Sequence, residues 1–307
     1  MSPTIITQKP TAFSKATLRQ ETLYSIAWRH FRRHKPALAG TFVLTLLILG
    51  AFFIPFVTNF DPGKTHILDK YLSLSLDHPM GTDGLGRDLF LRVMDGGRIS
   101  LLIGFTAMLL AVIFGTLVGA MAGFYGGMVD NILMRFADIM LTMPTLFVAI
   151  LLTQLLRAGV IPGLSAGIVP IVLVIAVTRW MPVARLVRAS YLSIKQKEFV
   201  EAARCAGAKN GRLIVRHILP NAMSPIIVAA TLAVGGAIIT EAGLSFLGFG
   251  VQPPTPSWGN MLNNAQSEMD FAPWTAIFPG LFIFLTVISF NYIGDGLRDA
   301  LDPHHVE

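Results

Sequence analysis

The sequence predicts an all-α integral membrane protein of six transmembrane helices with both termini on the cytoplasmic side. Three observations carry this. Apolar residues make up 53% of the 307-residue chain and only 14% are charged, whereas a soluble domain carries about 25% charged residues to cover its surface. Six stretches (37–58, 99–123, 136–156, 163–181, 223–249 and 274–294) approach or exceed the roughly 20 mostly apolar residues that cross about 30 Å of hydrocarbon. Lys and Arg then alternate between the connecting segments, 18 on one side and 6 on the other, and the basic side is the cytoplasmic one. The +6 net charge and isoelectric point near 9.7 therefore reflect topology, and no nucleic-acid partner is expected. Apolar content this high excludes disorder, and a single cysteine excludes a disulfide-built scaffold.

The elements follow in chain order. Residues 1–35 form a cytoplasmic N-terminal segment, with an amphipathic surface helix expected around Leu18–Phe31 and four basic residues, Arg29, Arg32, Arg33 and Lys35, before the first span. That span has no charge from Ala37 through Phe60. It is too long for a signal-peptide core, and no small-residue cleavage site follows it. In the outer loop 59–98, Thr82 and Asp83 are candidate caps for a short amphipathic helix carrying Leu85, Leu89 and Val93, which Gly96 and Gly97 should stop. Asp88 and Arg92, four apart, read as a wet-face pair. The second span has no ionised side chain between Ile99 and Tyr125, and the third begins on Arg135 and Asp138 and carries Pro144, which membrane helices tolerate when neighbours re-satisfy the freed carbonyl. The outer loop 250–273 contains Pro253, Pro254 and Pro256, a stiff non-helical run, with Trp258 and Trp274 suited to the headgroup belt.

The inner loop 182–222 concentrates the chemistry. Val183, Leu186, Val187, Ser190, Tyr191 and Ile194 recur at helical spacing, so the fourth helix continues beyond the membrane. A helix-forming run from Glu198 to Ala206 follows, closed by Gly207 as a left-handed cap. Asn210 is a candidate N-cap for a second short helix bearing Leu213, Ile214, His217 and Ile218, which Pro220 and Pro225 should end before the fifth span. A basic loop can simply lie on anionic lipid. Against that, the helix offers small Ala202 and Ala203 where a lipid-facing helix needs bulky apolar groups, and it carries Glu198 and Glu201.

The run Glu201-Ala202-Ala203, then Gly207, then Leu219-Pro220 is similar to the EAA motif of membrane subunits in ATP-binding-cassette (ABC) importers. Further blocks narrow the likeness. They are Gly81-Thr82-Asp83 with Gly86-Arg87-Asp88, and Gly123-Phe124-Tyr125-Gly126-Gly127 with Asp130, Arg135 and Asp138. Gly243-Leu244-Ser245-Phe246-Leu247-Gly248 leads into Pro253-Pro254-Thr255-Pro256 and Trp258-Gly259, and Phe278-Pro279-Gly280 and Gly294-Asp295-Gly296 come last. Together, from about Trp28 onward, they resemble the second, six-helix permease subunit of the dipeptide/oligopeptide/nickel importer family. The resemblance implies the type I importer transmembrane-domain fold over residues 36–307 and a bacterial plasma-membrane location. It implies a second permease subunit, two cytoplasmic ATPase subunits, and an extracytoplasmic substrate-binding protein. Glu201, Ala202, Ala203, Gly207, Leu219 and Pro220 would form the docking surface for an ATPase. ATP and Mg would be bound by those partners, with no cofactor in this chain.

The remaining residues fit that expectation. No G-x-x-x-x-G-K-[ST] phosphate loop occurs, so this chain is not expected to be an enzyme. No metal site is expected, since the seven histidines are scattered. Cys205 is expected to be a packed thiol, and His217 to be a structural, hydrogen-bonded group. Glu241 is the one acid inside a span apart from Asp138 at the start of the third, and it lies about 26 Å along the fifth helix, near the outer boundary. Its expected role is structural or gating, by reaching headgroups or capping a partner helix. An ion-coupled secondary transporter would call for midplane ionisable groups and related halves, and a channel would have no use for the helix–glycine–helix turn. Peptides are the expected cargo, with nickel or glutathione as alternatives within the same class.

Overall fold

The computed structural model describes residues 23–58, 61, 64–165 and 167–301. Most of residues 1–27, including the start of the surface helix expected at Leu18, lies outside the described residues. The helices are α1 (Leu23–Arg33), α2 (Lys35–Val57), α3 (Leu89–Tyr125), α4 (Gly127–Thr142), α5 (Thr145–Arg157), α6 (Val169–Ile194) and α7 (Glu198–Cys205). After these, α8 (Asn210–Arg212) passes through a π-helical turn (Leu213–Ile218) into α9 (Leu219–Phe246), followed by α10 (Trp258–Ala265) and α11 (Trp274–Leu301). One end of the bundle carries α1, α7 and the close of α11, joined where His34 meets Asp299. The opposite end carries the 64–88 segment and α10, joined where the Trp274 indole donates to the Thr82 carbonyl.

Five helical runs are long and apolar enough to cross a membrane: α2, α3, α6, the continuous Asn210–Phe246 run, and α11. The expected third span differs. α4 and α5 qualify only as a pair, and the chain turns by 95° between them. Pro144 is the cause: it disfavours helical geometry in the preceding residue, and Met143 is extended at φ −78°, ψ 135°. The proline breaks the span instead of being absorbed by it. The fourth helix starts at Val169, later than the expected 163, and runs to Ile194, as the periodicity of its second half predicted.

α3 is the axis of the bundle, and its small residues explain why. Ala107, Ala111, Gly115, Gly119 and Gly123 recur every four residues and are all buried. A Cβ on Gly119 would lie 2.3 Å from the Ala184 carbonyl oxygen, and one on Gly115 2.6 Å from that of Trp180. Small residues at that spacing let two backbones approach in a membrane protein, where packing must replace the hydrophobic effect, and α6 lies along this stripe. The same logic overturns the expected stop at Gly96-Gly97. α3 begins at Leu89 with Asp88 as its N-cap and passes unbroken through both glycines. A Cβ on Gly97 would sit 2.7 Å from the Trp258 ring. These glycines admit a neighbour and do not end a helix.

Three other expectations are corrected. Trp258 and Trp274 are not headgroup anchors: Trp258 is buried, its indole donates to the Val93 carbonyl at 2.9 Å, and Trp274 packs on the core. Asp88 and Arg92 do not form a wet-face pair. Asp88 accepts from the Leu91 N–H and pairs with His78 at 2.7 Å, while Arg92 is buried with its Nε 3.5 Å from Asp83. Pro220 and Pro225 do not end the helix before the fifth span. The ring of Pro220 would press on the carbonyl of residue 216 in an α-helix, and the π-helical turn immediately before it widens the coil there. The helix capping residue at its start is Lys209, one before the expected Asn210.

Candidate functional site

α7 is built for presentation. Its first turn carries Glu198 and Glu201, whose charge suits a helix N-terminus. It closes in a Schellman motif: the Gly207 N–H donates to the Arg204 carbonyl at 3.0 Å, and the Ala208 N–H to that of Ala203 at 3.1 Å. Gly207 adopts φ +85°, a conformation that costs an L-residue about 1–2 kcal/mol. A Cβ there would meet nothing within 4 Å, so only the backbone angle requires glycine.

The turn rests on the bundle through one side. Val200, Leu213 and Ile218 are fully buried, with Ala203 and Ala208 packed against the same core. The Tyr191 hydroxyl of α6 donates to the Ile214 carbonyl at 3.2 Å, and Lys195 Nζ to the Gly123 carbonyl at 2.8 Å. The other side, Glu201, Ala202, Arg204, Cys205, Ala206 and Gly207, is exposed. Cys205 is thus not a packed thiol. Leu219 and Pro220 stand apart from this face. Leu219 packs on the core just beyond the π-helical turn, whereas Pro220 is exposed. His217 contributes its carbonyl, to Asn221, but among the described residues its side chain has no hydrogen-bond partner.

Two ion pairs that the sequence did not reveal link α4 to α6 at the same end. Arg188 Nη2 donates to Asp130 at 2.6 Å, and Arg185 pairs with Asp138. They flank a cavity of about 330 Å³ that also borders Asn131, Met134 and Arg135. The signal was present as spacing, because Asp130 and Asp138 lie two helical turns apart and Arg185 and Arg188 one turn apart.

At the opposite end Glu241 is fully buried, so its carboxylate is spent inside the chain and does not project outward as expected. It accepts hydrogen bonds from Ser100 Oγ at 2.9 Å and Ser245 Oγ at 2.7 Å. Those hydroxyls in turn accept from the backbone N–H of Trp258 and of Val251. One carboxylate therefore knots α3, α9 and the entry to α10. Its hydroxyl partner on α3 is 141 positions away, beyond any local pattern. Nearby, a cavity of about 430 Å³ is lined by Tyr71, Asp83, Arg87, Arg92, Asn260 and Glu268. Desolvation and then the Asp83 charge push the Glu268 carboxyl above its usual range, and desolvation followed by the Glu268 charge raises the Tyr71 phenol.

Arg179 falls within the 163–181 stretch, although the tally of 18 basic residues includes it on the cytoplasmic side; it lies inside α6, ten residues beyond Val169. Its Nη2 donates to the Gly236 carbonyl at 3.2 Å and to Thr240 Oγ1, both on α9.

A family model described as binding-protein-dependent transport system inner membrane component matches residues 115–305. Another, the N-terminal transmembrane domain of oligopeptide transport permease C, matches residues 22–73. The chain is 43% identical to the dipeptide transport system permease protein DppC of Alkalihalophilus pseudofirmus, covering 90% of this chain and 88% of that one. It is 42% identical to the oligopeptide transport system permease protein OppC of Bacillus subtilis, over 94% and 92%. It is 44% identical to the glutathione transport system permease protein GsiD of Pectobacterium atrosepticum, over 90% and 89%. Among solved structures, the methionine ABC transporter MetNI in an inward-facing form superposes with a TM-score of 0.57 at 18% identity, over 68% of this chain and 96% of that one. At that identity the likeness is one of fold.

Proposed function

The chain belongs to the binding-protein-dependent transport system inner membrane components, a multi-pass permease of the bacterial inner membrane, and from that premise we propose that it forms one half of the translocation pathway of a di- or oligopeptide importer. Residues 36–307 are the permease domain, and residues 1–35 precede it at the cytoplasmic surface. The termini and α7 face the cytoplasm, in keeping with the distribution of Lys and Arg. A second permease subunit completes the pathway. Two cytoplasmic ATPase subunits bind ATP and Mg, and an extracytoplasmic binding protein delivers cargo.

The observation that carries this reading is the α7 turn. Its exposed face of Glu201, Ala202 and Gly207 is uncovered, while its buried face packs against the π-helical turn at the root of α9, itself held to α6 by Tyr191. That is the arrangement of a coupling element, rigid on the side of the membrane helices and open toward a soluble partner. Phe199 and Val215 are exposed beside it and add apolar area that a docked protein would cover. Glutathione is the second reading, favoured by the 44% identity to a permease named for it. It differs only in cargo, and the partner set is the same.

The test is gentle-detergent purification of the tagged chain from its native membrane, with mass spectrometry of what accompanies it. Recovery of a second permease and ATPase subunits is expected, and uptake assays with peptide or glutathione then separate the two cargoes. A chain that purifies alone overturns the importer reading.

A further inference from the structure

Arg179 occupies a position that the fold leaves unexplained. It lies about 15 Å along α6 from Val169, and its neighbour Trp180 lies against Gly115, well inside the charge-free Ile99–Tyr125 run of α3, at the apolar depth of the bundle. A charged side chain at that depth costs several kcal/mol in lipid, so such residues face a protein interior or a water-filled cavity. This chain supplies only part of an interior. Among the described residues both bonds run through Nη2, the Nε is buried without a partner, and no bond from Nη1 is found. Among the described residues no acidic side chain pairs with it.

The side chain is not fully enclosed either. Arg179, Gly236 and Thr240 are partly exposed, and Val177 and Ile239 flank them with exposed apolar surface. Gly236 stands beside the guanidinium, where a Cβ would press to 3.4 Å from Nη1. Two α9 acceptors hold the cation in one orientation, and a residue without a side chain leaves its flank accessible. The charge is fixed, accessible and short of an anion.

We propose that Arg179 lines the aqueous translocation path and receives the carboxylate of the cargo at mid-membrane depth. The proposal rests on the peptide-importer reading. Dipeptides, longer peptides and glutathione share a free carboxylate at neutral pH, and a guanidinium is the side chain best suited to it. The α9 carbonyl and hydroxyl keep Arg179 from collapsing into the apolar wall when the path is empty.

The experiment uses the assembled transporter, with its second permease, ATPases and binding protein, in proteoliposomes. In Arg179→Cys, a membrane-impermeant charged methanethiosulfonate should modify position 179, read by mass spectrometry of the peptide that carries it. Dipeptide during turnover should slow that modification. Arg179→Gln should lower dipeptide uptake by about tenfold or more, the worth of one charge-assisted hydrogen bond, while still co-purifying with its partners. Arg179→Lys should recover part of the loss. No modification at 179, meaning the side chain faces lipid or is sealed by another subunit, overturns the proposal. Wild-type uptake by Arg179→Gln overturns it as well. A wild-type transporter that carries no peptide overturns the cargo reading, and the carboxylate site with it, while modification at 179 still reports separately whether the position is water-lined.

Discussion

Replacing Gly207 tests the coupling turn most directly, because the structure separates the two reasons a glycine can be required. A Cβ at Gly207 meets nothing within 4 Å, so the chain itself has room for a side chain. The backbone angle, φ +85°, is the objection. Gly207→Ala should cost about 1–2 kcal/mol in the turn, and at about 1.4 kcal/mol per decade the docked geometry becomes about 5- to 30-fold rarer. Asparagine visits the left-handed region more readily, so Gly207→Asn should lose less, and the β-branched Gly207→Val should lose most. Gly211 is the internal control. A Cβ there is equally unobstructed, but its φ is ordinary and it lies within a helix, where Gly211→Ala should be neutral or slightly stabilising.

The assay is titration of the purified ATPase subunits onto the permease pair in nanodiscs, with peptide uptake and ATP hydrolysis measured on the same preparations. All four variants should insert and purify normally, since α7 contributes only Val200 to the fully buried core. Affinity for the ATPases, and uptake per ATP hydrolysed, should fall in the order Asn, Ala, Val. Wild-type affinity and uptake in Gly207→Val would refute the argument outright. A larger loss in Gly207→Asn than in Gly207→Ala would refute its backbone basis and point to a side-chain clash with the docked partner.

Glu241→Ala should lower the detergent unfolding temperature sharply, by the equivalent of about 2–4 kcal/mol for an emptied buried site with stranded hydroxyls, whereas Glu241→Gln, which keeps an acceptor, should cost about 1 kcal/mol; equal losses would sink the hydrogen-bond explanation. A double-mutant cycle on Asp130 and Arg188, read by unfolding of the permease pair, should return a coupling of about 1 kcal/mol, discounted for the exposure of the arginine, and a value near zero would make the pair a surface coincidence. Glu268 gives a pH dependence. Its carboxyl is raised, so the folded state holds a proton that the unfolded chain has already released, and stability should fall as pH rises from the ordinary carboxylate range through the raised folded value. Thermal unfolding of wild type against Glu268→Gln between pH 4 and 7 checks this: the variant should lose that slope, and a wild type that gains stability across the window contradicts it.

The features legible in the sequence were those whose cause is local. Hydropathy placed the runs that became α2, α3, α6, α9 and α11, because burial in lipid depends on composition alone. The α7 turn was legible because a left-handed cap demands one residue type at one position. What failed depended on distant partners. Gly96-Gly97 looks the same whether it ends a helix or admits a tryptophan, and the deciding residue, Trp258, is about 160 positions away. Proline was misread in both directions for the same reason. Pro144 breaks a span that was expected to absorb it, and Pro220 is absorbed where a break was expected, because a π-helical turn lies just before it. Arg179 falls inside the 163–181 stretch yet enters the tally of 18 cytoplasmic-side charges, because charge counting assigns every arginine to the nearest polar segment and cannot see that one is retained inside a helix.

The distribution of fastening points suggests why α7 can act on the far end of the molecule. Its buried face packs on the π-helical turn, which the Tyr191 hydroxyl ties to α6 through the Ile214 carbonyl and which runs on into the root of α9. α6 is in turn fixed along α3 by the small-residue stripe and by Lys195. α9 runs continuously from that root to Glu241, where three hydrogen-bonded elements meet. Displacing α7 therefore loads α6 and α9 together, and α9 delivers the displacement to the hairpin around Trp258. The α4–α5 pair is different, being broken by 95°: α5 packs on α6 through Ala149 and its apolar neighbours, whereas α4 meets α6 through the Phe136–Trp180 ring contact and through exposed or half-exposed ion pairs. Close packing transmits strain, while solvated ion pairs yield to it. Motion imposed at α7 should thus reach α10 before it disturbs α4. A cross-link between α7 and α6 should abolish transport, whereas loss of the Asp138–Arg185 pair should leave it nearly intact, and the reverse outcome would place the stiff path through α4.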